Sequence, residues 1–134
     1  VRTPRWSARL LAAGLLACGD GTPVRAAEAP PYQDLSVAEL QELLAREDVP
    51  LVNVHVPFEG DLPGTDVSIP FDRIAEHLDR LPEDRSAPIV LYCRSGRMSE
   101  EAARTLAALG YTRVYNLAGG FNAWRAAGLP MADG

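Results

Sequence analysis

A cysteine with two arginines close behind it marks the chemistry that this sequence could perform. Cys93 stands in VLYCRSGRMSEEA, residues 90–102, between an apolar run and a helix-like run. If the residues after it curl so that successive N–H groups point inward, they form an anion-binding nest over a helix N-terminus. Such a setting favours thiolate over thiol and predicts that Cys93 is a nucleophile. The predicted binding residues are Arg94, Ser95, Gly96, Arg97, Met98 and Ser99.

Each of these features also has an ordinary structural explanation. A strand-end cysteine can be a small buried hydrophobe, and the sequence SGR can simply connect a strand to a helix. The combination of strand, cysteine, glycine-containing loop and helix favours the functional interpretation. The sequence has no paired carboxylates, metal-spaced His/Cys cluster or phosphate-binding glycine motif, and His55 and His77 stand alone, away from any motif. We therefore expect neither a metal nor a cofactor.

Alternating strand-like and helix-like runs indicate the elements that position Cys93. Strands are predicted over 50–56, 67–71, 88–93 and 112–117. Helices are predicted after the capping box of Ser36 and Glu39, from Asp72 as N-cap, from Met98 to a stop at Gly110, and around inward-facing Phe121 and Trp124. Strands separated by helices predict an α/β fold, with a central, mostly parallel sheet that has helices on both faces. Ligands of such sheets bind beyond the carboxyl ends of the strands, where Cys93 lies.

The composition narrows the classes of function. The chain has 134 residues, enough for one compact domain, and 47% of them are hydrophobic. Its formal net charge of −5 argues against nucleic acid as a partner. All 13 basic residues are arginine, so lysine Schiff-base chemistry is excluded.

The first residues have the pattern of an export signal. Three arginines precede a short apolar run over residues 10–17, which is far below the ~20 residues of a membrane span. The run ends in LLAC, which resembles the lipobox of bacterial lipoproteins, with Cys18 as the lipidated residue. We predict a lipoprotein-type signal peptide over 1–17, a flexible tether over 18–31 and a folded domain over 32–134. The alternative is cleavage near Ala26–Ala29, which would release a soluble exported protein.

Export bears on the cysteine as well. We expect the protein in the periplasm or at the cell surface, attached to the membrane only through its lipid. If Cys18 is acylated or removed, Cys93 has no partner within the chain for a disulfide. An unpaired cysteine in an oxidising compartment is either inert and buried or kept for its chemistry.

Three stretches of residues 32–134 resemble a single rhodanese homology domain. IVLYCRSGRMS (89–99) resembles the family's strand and catalytic loop, with Cys93 at the nucleophile position. NLAGGFNAWRAAGLP (116–130) resembles the C-terminal signature, and LVNVHVPFEG (51–60) resembles a strand that usually ends in Asp-x-Arg. Here that pair is Asn53 and His55, and GDLPGT (60–65) stands for the usual Gly-His-Ile-Pro-Gly-Ala.

The resemblance implies a persulfide cycle in a monomeric enzyme. Cys93 would take the outer sulfur of a donor such as thiosulfate, with Arg94 and Arg97 attracting the anion. A thiophilic acceptor, cyanide or a thiol, would then remove the sulfur. One alternative is a non-catalytic persulfide carrier or binding module for another exported protein. The other is a phosphatase or arsenate reductase, whose Cys-x5-Arg loop needs an arginine where this chain has Ser99.

Overall fold

Five short strands form one parallel sheet at the centre of the protein. The computed structural model describes residues 31–132. The strands are β1 (Gln33–Leu35), β2 (Leu51–Asn53), β3 (Val67–Ser68), β4 (Ile89–Tyr92) and β5 (Val114–Leu117). The helices are α1 (Val37–Arg46), α2 (Arg97–Ala108) and α3 (Gly120–Ala126), and a 3₁₀ segment spans Phe71–Arg80. The strand order is β1-β5-β4-β2-β3, and all four pairings within the described residues are parallel.

Helices cover both faces of this sheet, as the alternation of side chains along β4 shows. Ile89 and Leu91 pack in one apolar cluster with residues of α2 and the 3₁₀ segment. Val90 and Tyr92 point the other way, into a second cluster with residues of α1 and α3. Because both faces of the strand are covered, all four residues are buried. The predicted α/β fold is confirmed.

The strands at the centre of the sheet were predicted, but β1 was not. β1 pairs with β5 through Gln33 and Tyr115, and only Leu35 of its three residues is buried. Three residues with one buried side chain give no alternating pattern that could be recognised in a sequence. The other strands lie within their predicted ranges and are shorter, since only part of each range forms the hydrogen-bonded ladder.

The prediction of a helix capped by Asp72 was wrong. The segment begins after Pro70 without a side-chain cap, and Arg73 and His77 have non-helical backbone angles that divide it into short turns. Ile74 is nevertheless buried, as the apolar spacing predicted. Spacings of three and four residues place side chains on one face of either helix type, so they do not decide the hydrogen-bond pattern.

Two predicted helix ends agree with the structure. The Ser36 hydroxyl accepts from the Glu39 N–H at 3.1 Å, and the Glu39 carboxylate accepts from the Ser36 N–H at 2.8 Å. α2 ends before Gly110, whose φ of 101° is in the left-handed region that favours glycine.

The proposed signal peptide and nearly all of the proposed tether, with Cys18, lie outside the described residues. Within residues 31–132, no helix has the length and apolar character needed to cross a bilayer.

Candidate active site

Cys93 lies at the carboxyl edge of the sheet, directly after β4. Only three residues separate it from α2, which begins at Arg97. The helix therefore begins one residue before its predicted start at Met98, and Arg97, Met98 and Ser99 form its first turn. The thiol is unbridged in the described part of the chain, and Cys93 is 1% exposed.

Two donors approach the sulfur from the side of the helix. The Gly96 N–H donates to Cys93 Sγ at 3.0 Å, and the Ser99 hydroxyl lies 3.5 Å from the same atom. Gly96 has a φ of 114°, and this left-handed backbone lets its N–H face the sulfur. Donors in this position stabilise negative charge on sulfur.

Ser99 connects the sulfur to a buried polar chain. Its hydroxyl also lies against Asn116 Oδ1 and, at 3.1 Å, the Gly96 carbonyl oxygen, so its single proton has three possible acceptors. Asn116 in turn donates through Nδ2 to Asp34 at 2.9 Å. Ser99 and Asn116 are both fully buried. These hydrogen bonds, which run from Ser99 through Asn116 to Asp34, fix the first turn of α2 relative to β5.

The glycine pair before α3 lets that helix press against the cysteine loop. The Phe121 N–H donates to the Cys93 carbonyl oxygen at 2.9 Å, and the Asn122 N–H donates to that of Arg94 at 3.0 Å. A Cβ on Gly120 would collide with both of these carbonyl oxygens. The N-terminus of α3 thus holds the base of the loop through contacts that only glycine permits at residue 120.

An open cavity of about 320 Å³ leads to Cys93. Five of the seven predicted site residues line it, while Gly96 and Ser99 contact the sulfur from behind. The lining residues are Cys93, Arg94, Ser95, Arg97 and Met98, together with His55, Phe71 and Glu101.

The two arginines of the cavity differ in their partners. Arg94 is 56% exposed, and its Nη1 lies 3.7 Å from Glu59 Oε1. Arg97 forms no ion pair with any residue that the structure describes, so its charge is available to an anion in the cavity.

The interpretation of His55 as remote from the site was wrong. It lines the same cavity, its ring meets that of Phe121 edge-on at 5.6 Å, and its side chain is 7% exposed. β2 and β4 are neighbouring parallel strands, with Asn53 opposite Tyr92, so residues just beyond their ends lie together. That neighbourhood is the signal that could have placed His55 beside Cys93.

Asn53 holds the segment that follows β2. Its Nδ2 donates to the Gly60 carbonyl oxygen and to Asp61 Oδ1, each at 2.9 Å, and its Oδ1 accepts from the His55 N–H at 3.0 Å. A neutral amide with both donors and acceptor in use thus supports this wall of the cavity.

Tyr92 is a structural group and not a second reactive one. Burial raises the pKa of Tyr92 to about 12, and its hydroxyl accepts from the Leu62 N–H at 3.0 Å and contacts Thr65 at 2.8 Å. It therefore stays neutral at any physiological pH. No group of three or more His, Cys, Asp or Glu residues is arranged to hold a metal ion within residues 31–132.

These features define a class of protein: an α/β fold with a cysteine-centred, positively charged cavity at the carboxyl edge of a parallel sheet. The family model described as "Rhodanese-like domain" matches residues 36–127, and the chain belongs to this family.

Proteins similar to this chain are named as sulfurtransferases or as rhodanese-related. A protein of Allochromatium vinosum named sulfurtransferase is 40% identical over 94 residues, which cover 68% of this chain and 85% of that protein. The thiosulfate sulfurtransferase GlpE of Pseudoalteromonas translucida is 32% identical over 99 residues, covering 72% and 91%. A crystal structure of a rhodanese-related protein from Thermoplasma volcanium matches with a TM-score of 0.64 and 25% identity, covering 75% of this chain and 98% of that one.

Proposed function

We propose that this protein is a sulfurtransferase that moves sulfane sulfur from thiosulfate or a related donor to a thiophilic acceptor through a Cys93 persulfide. The observation that carries the proposal is the contact of the Gly96 N–H with Cys93 Sγ at 3.0 Å, at the base of a cavity that two arginines line. Membership of the rhodanese-like family and the names of the relatives support sulfur transfer in general.

In the first half-reaction, the Cys93 thiolate attacks the outer sulfur of thiosulfate. A new S–S bond forms at Cys93, and the S–S bond of thiosulfate breaks with its electron pair leaving on sulfite. The guanidinium of Arg97, which has no ion-pair partner among residues 31–132, attracts the dianion to the cavity. The outer sulfur of the persulfide then projects from Cys93 into the open space.

In the second half-reaction, the acceptor attacks that outer sulfur. The electron pair of the broken bond returns to Cys93 Sγ, where the Gly96 N–H stabilises the thiolate that leaves. Cyanide would serve as the acceptor in an assay, and a thiol in the cell. We further propose that the protein is exported and works in the periplasm or at the cell surface, held by a lipid on Cys18.

Intact-mass measurement after thiosulfate treatment tests the proposal. Addition of one sulfur should increase the mass by ~32 Da, the step from thiol to persulfide. Cyanide should reverse the gain and release thiocyanate, and Cys93→Ser should show no gain. A wild-type protein that gains no mass with excess thiosulfate would contradict the proposal.

The same reagents separate an enzyme from a carrier. An enzyme should form many equivalents of thiocyanate per protein, whereas a carrier that needs its own partner to load or to release the sulfur should not turn over with these two reagents alone. A phosphatase would hydrolyse a phosphate ester, which we do not expect because Ser99 occupies the position that the Cys-x5-Arg loop needs for arginine.

A further inference from the structure

A carboxylate oxygen lies between two basic side chains of the Cys93 cavity. Glu59 Oε1 is 3.6 Å from His55 Nε2 and 3.7 Å from Arg94 Nη1. Both distances are longer than a normal hydrogen bond. A small movement of the Glu59 side chain, which is 39% exposed, is therefore enough to shorten either contact to hydrogen-bond distance.

The imidazole of His55 competes with Arg94 for the Glu59 carboxylate, because it has no other partner among the described residues. Both of its ring nitrogens are buried, and neither has a hydrogen-bond partner among the described residues. A buried polar atom that makes no hydrogen bond costs free energy. Where a native protein keeps such an atom, the group often changes its partner or its charge during function. Within residues 31–132, Glu59 is the acidic side chain that lies within 4.0 Å of the ring.

We propose that His55 and Glu59 together determine how strongly the cavity binds its anionic sulfur donor. With His55 neutral, Glu59 pairs with Arg94 and cancels its charge. With His55 protonated, the imidazolium attracts Glu59 and leaves Arg94 free to join Arg97 in binding the anion. This rests on the proposed function, and it narrows the donor to a small dianion that gains from a second guanidinium.

Other charged groups face the Cys93 cavity, and their effects on anion binding must be distinguished from that of His55. α2 contributes Arg97 and Glu101 to the cavity. α3 presents the ring of Phe121 to His55, and the Arg125 guanidinium of the same helix lies 5.1 Å from the centre of that ring. Asp61, on the segment after β2, is engaged by Asn53. The thiol of Cys93 would also react with thiosulfate, so binding has to be measured without it. The binding measurements therefore use a Cys93→Ser background.

Calorimetric titration with thiosulfate at pH ~5.5 and pH ~8, which span the range where imidazoles titrate, tests the proposal. Thiosulfate is a dianion at both values. In the Cys93→Ser background, the dissociation constant should be about tenfold lower at the acidic pH, the effect of one charge-assisted hydrogen bond. Adding His55→Asn should give weak binding at both values, because Glu59 stays with Arg94. Adding Glu59→Gln should give tight binding at both, because Arg94 stays free.

His77→Asn is the matched control, since it removes the chain's other histidine, which does not line the cavity. It should keep the full pH dependence of the background. A His55→Asn variant that keeps the tenfold change, or a Glu59→Gln variant that binds no tighter than the background at pH ~8, would overturn the inference alone. If the Cys93→Ser background binds thiosulfate at neither pH, the proposed donor would be overturned as well. If His55→Asn does not fold, the Glu59→Gln variant still tests the inference, because the Glu59 side chain is partly exposed and its substitution should be tolerated.

Discussion

The two arginines of the cavity differ in whether a carboxylate lies close enough to compensate their charge. Arg94 shares the carboxylate of Glu59, while Arg97 has no carboxylate within ion-pair distance among residues 31–132. Both side chains line the cavity that leads to Cys93. A dianionic donor would therefore meet one guanidinium that no carboxylate of the described residues compensates.

Arg97→Ala should raise the KM for thiosulfate tenfold or more. The loss of one charge-assisted contact to a dianion costs on the order of 1.5–3 kcal/mol. Steady-state kinetics with thiosulfate and cyanide measures the effect. Arg104→Ala is the control, since Arg104 is on the same helix with its guanidinium over the ring of Tyr32. An unchanged KM in Arg97→Ala would mean that backbone N–H groups alone hold the dianion.

Ser99→Ala should weaken both the fold and the sulfur site. It removes a donor 3.5 Å from Cys93 Sγ and leaves Asn116 Oδ1 without that donor in a buried position. An unsatisfied buried acceptor costs about 1–3 kcal/mol in the free energy of unfolding, which urea denaturation measures. Persulfide formation should also be slower. Ser86→Ala, which removes an exposed hydroxyl that donates to Asp84 and does not line the cavity, should change neither value appreciably, and an equal loss in both variants would refute the role of Ser99.

At the scale of elements, the site depends on how α3 meets the cysteine loop. Two N–H groups of α3 donate to carbonyl oxygens of Cys93 and Arg94, so the loop is fixed by its main chain, whatever side chains it carries. Close approach of these two backbones requires Gly120.

Gly120→Ala should therefore destabilise the protein and disturb the site together. A Cβ there meets the loop carbonyls and adds the strain of a φ of 57°. Gly128→Ala is a matched control, because Gly128 has a φ of 83° with no atom near the position of a Cβ. Its cost should be the backbone strain alone, about 1–2 kcal/mol. Urea unfolding and persulfide formation should both show a larger loss for Gly120→Ala, and equal losses would exclude the close approach as the cause.

The sequence predicted those parts of the protein that depend on local pattern. The Cys93 loop, the glycine pair and the apolar runs of β4 and α2 are contiguous, so their spacing carries the information. His55 was missed because its position beside Cys93 arises from the pairing of β2 with β4, residues far apart in the chain. β1 was missed because three residues on the edge of a sheet bury too little apolar surface to form a pattern.

At the scale of the whole molecule, we propose that the first residues determine where in the cell the domain is held. If LLAC is a lipobox, lipid on Cys18 holds the protein at a membrane and residues 18–31 connect it to the domain. Cys18→Ser should then move the full-length protein from the detergent phase to the aqueous phase of a Triton X-114 extraction. The control is Cys93→Ser, which should stay in the detergent phase. Unchanged partitioning of Cys18→Ser would contradict the lipoprotein prediction.

The burial of Cys93 also acts as a filter on molecular size. The sulfur is reached through a cavity of about 320 Å³, and the residue itself is 1% exposed. A passage of this size admits small anions and slender thiols more readily than a cysteine on a rigid protein surface. We therefore expect the thiol to form mixed disulfides with small thiols faster than with bulky partners, a selectivity that comes from shape alone.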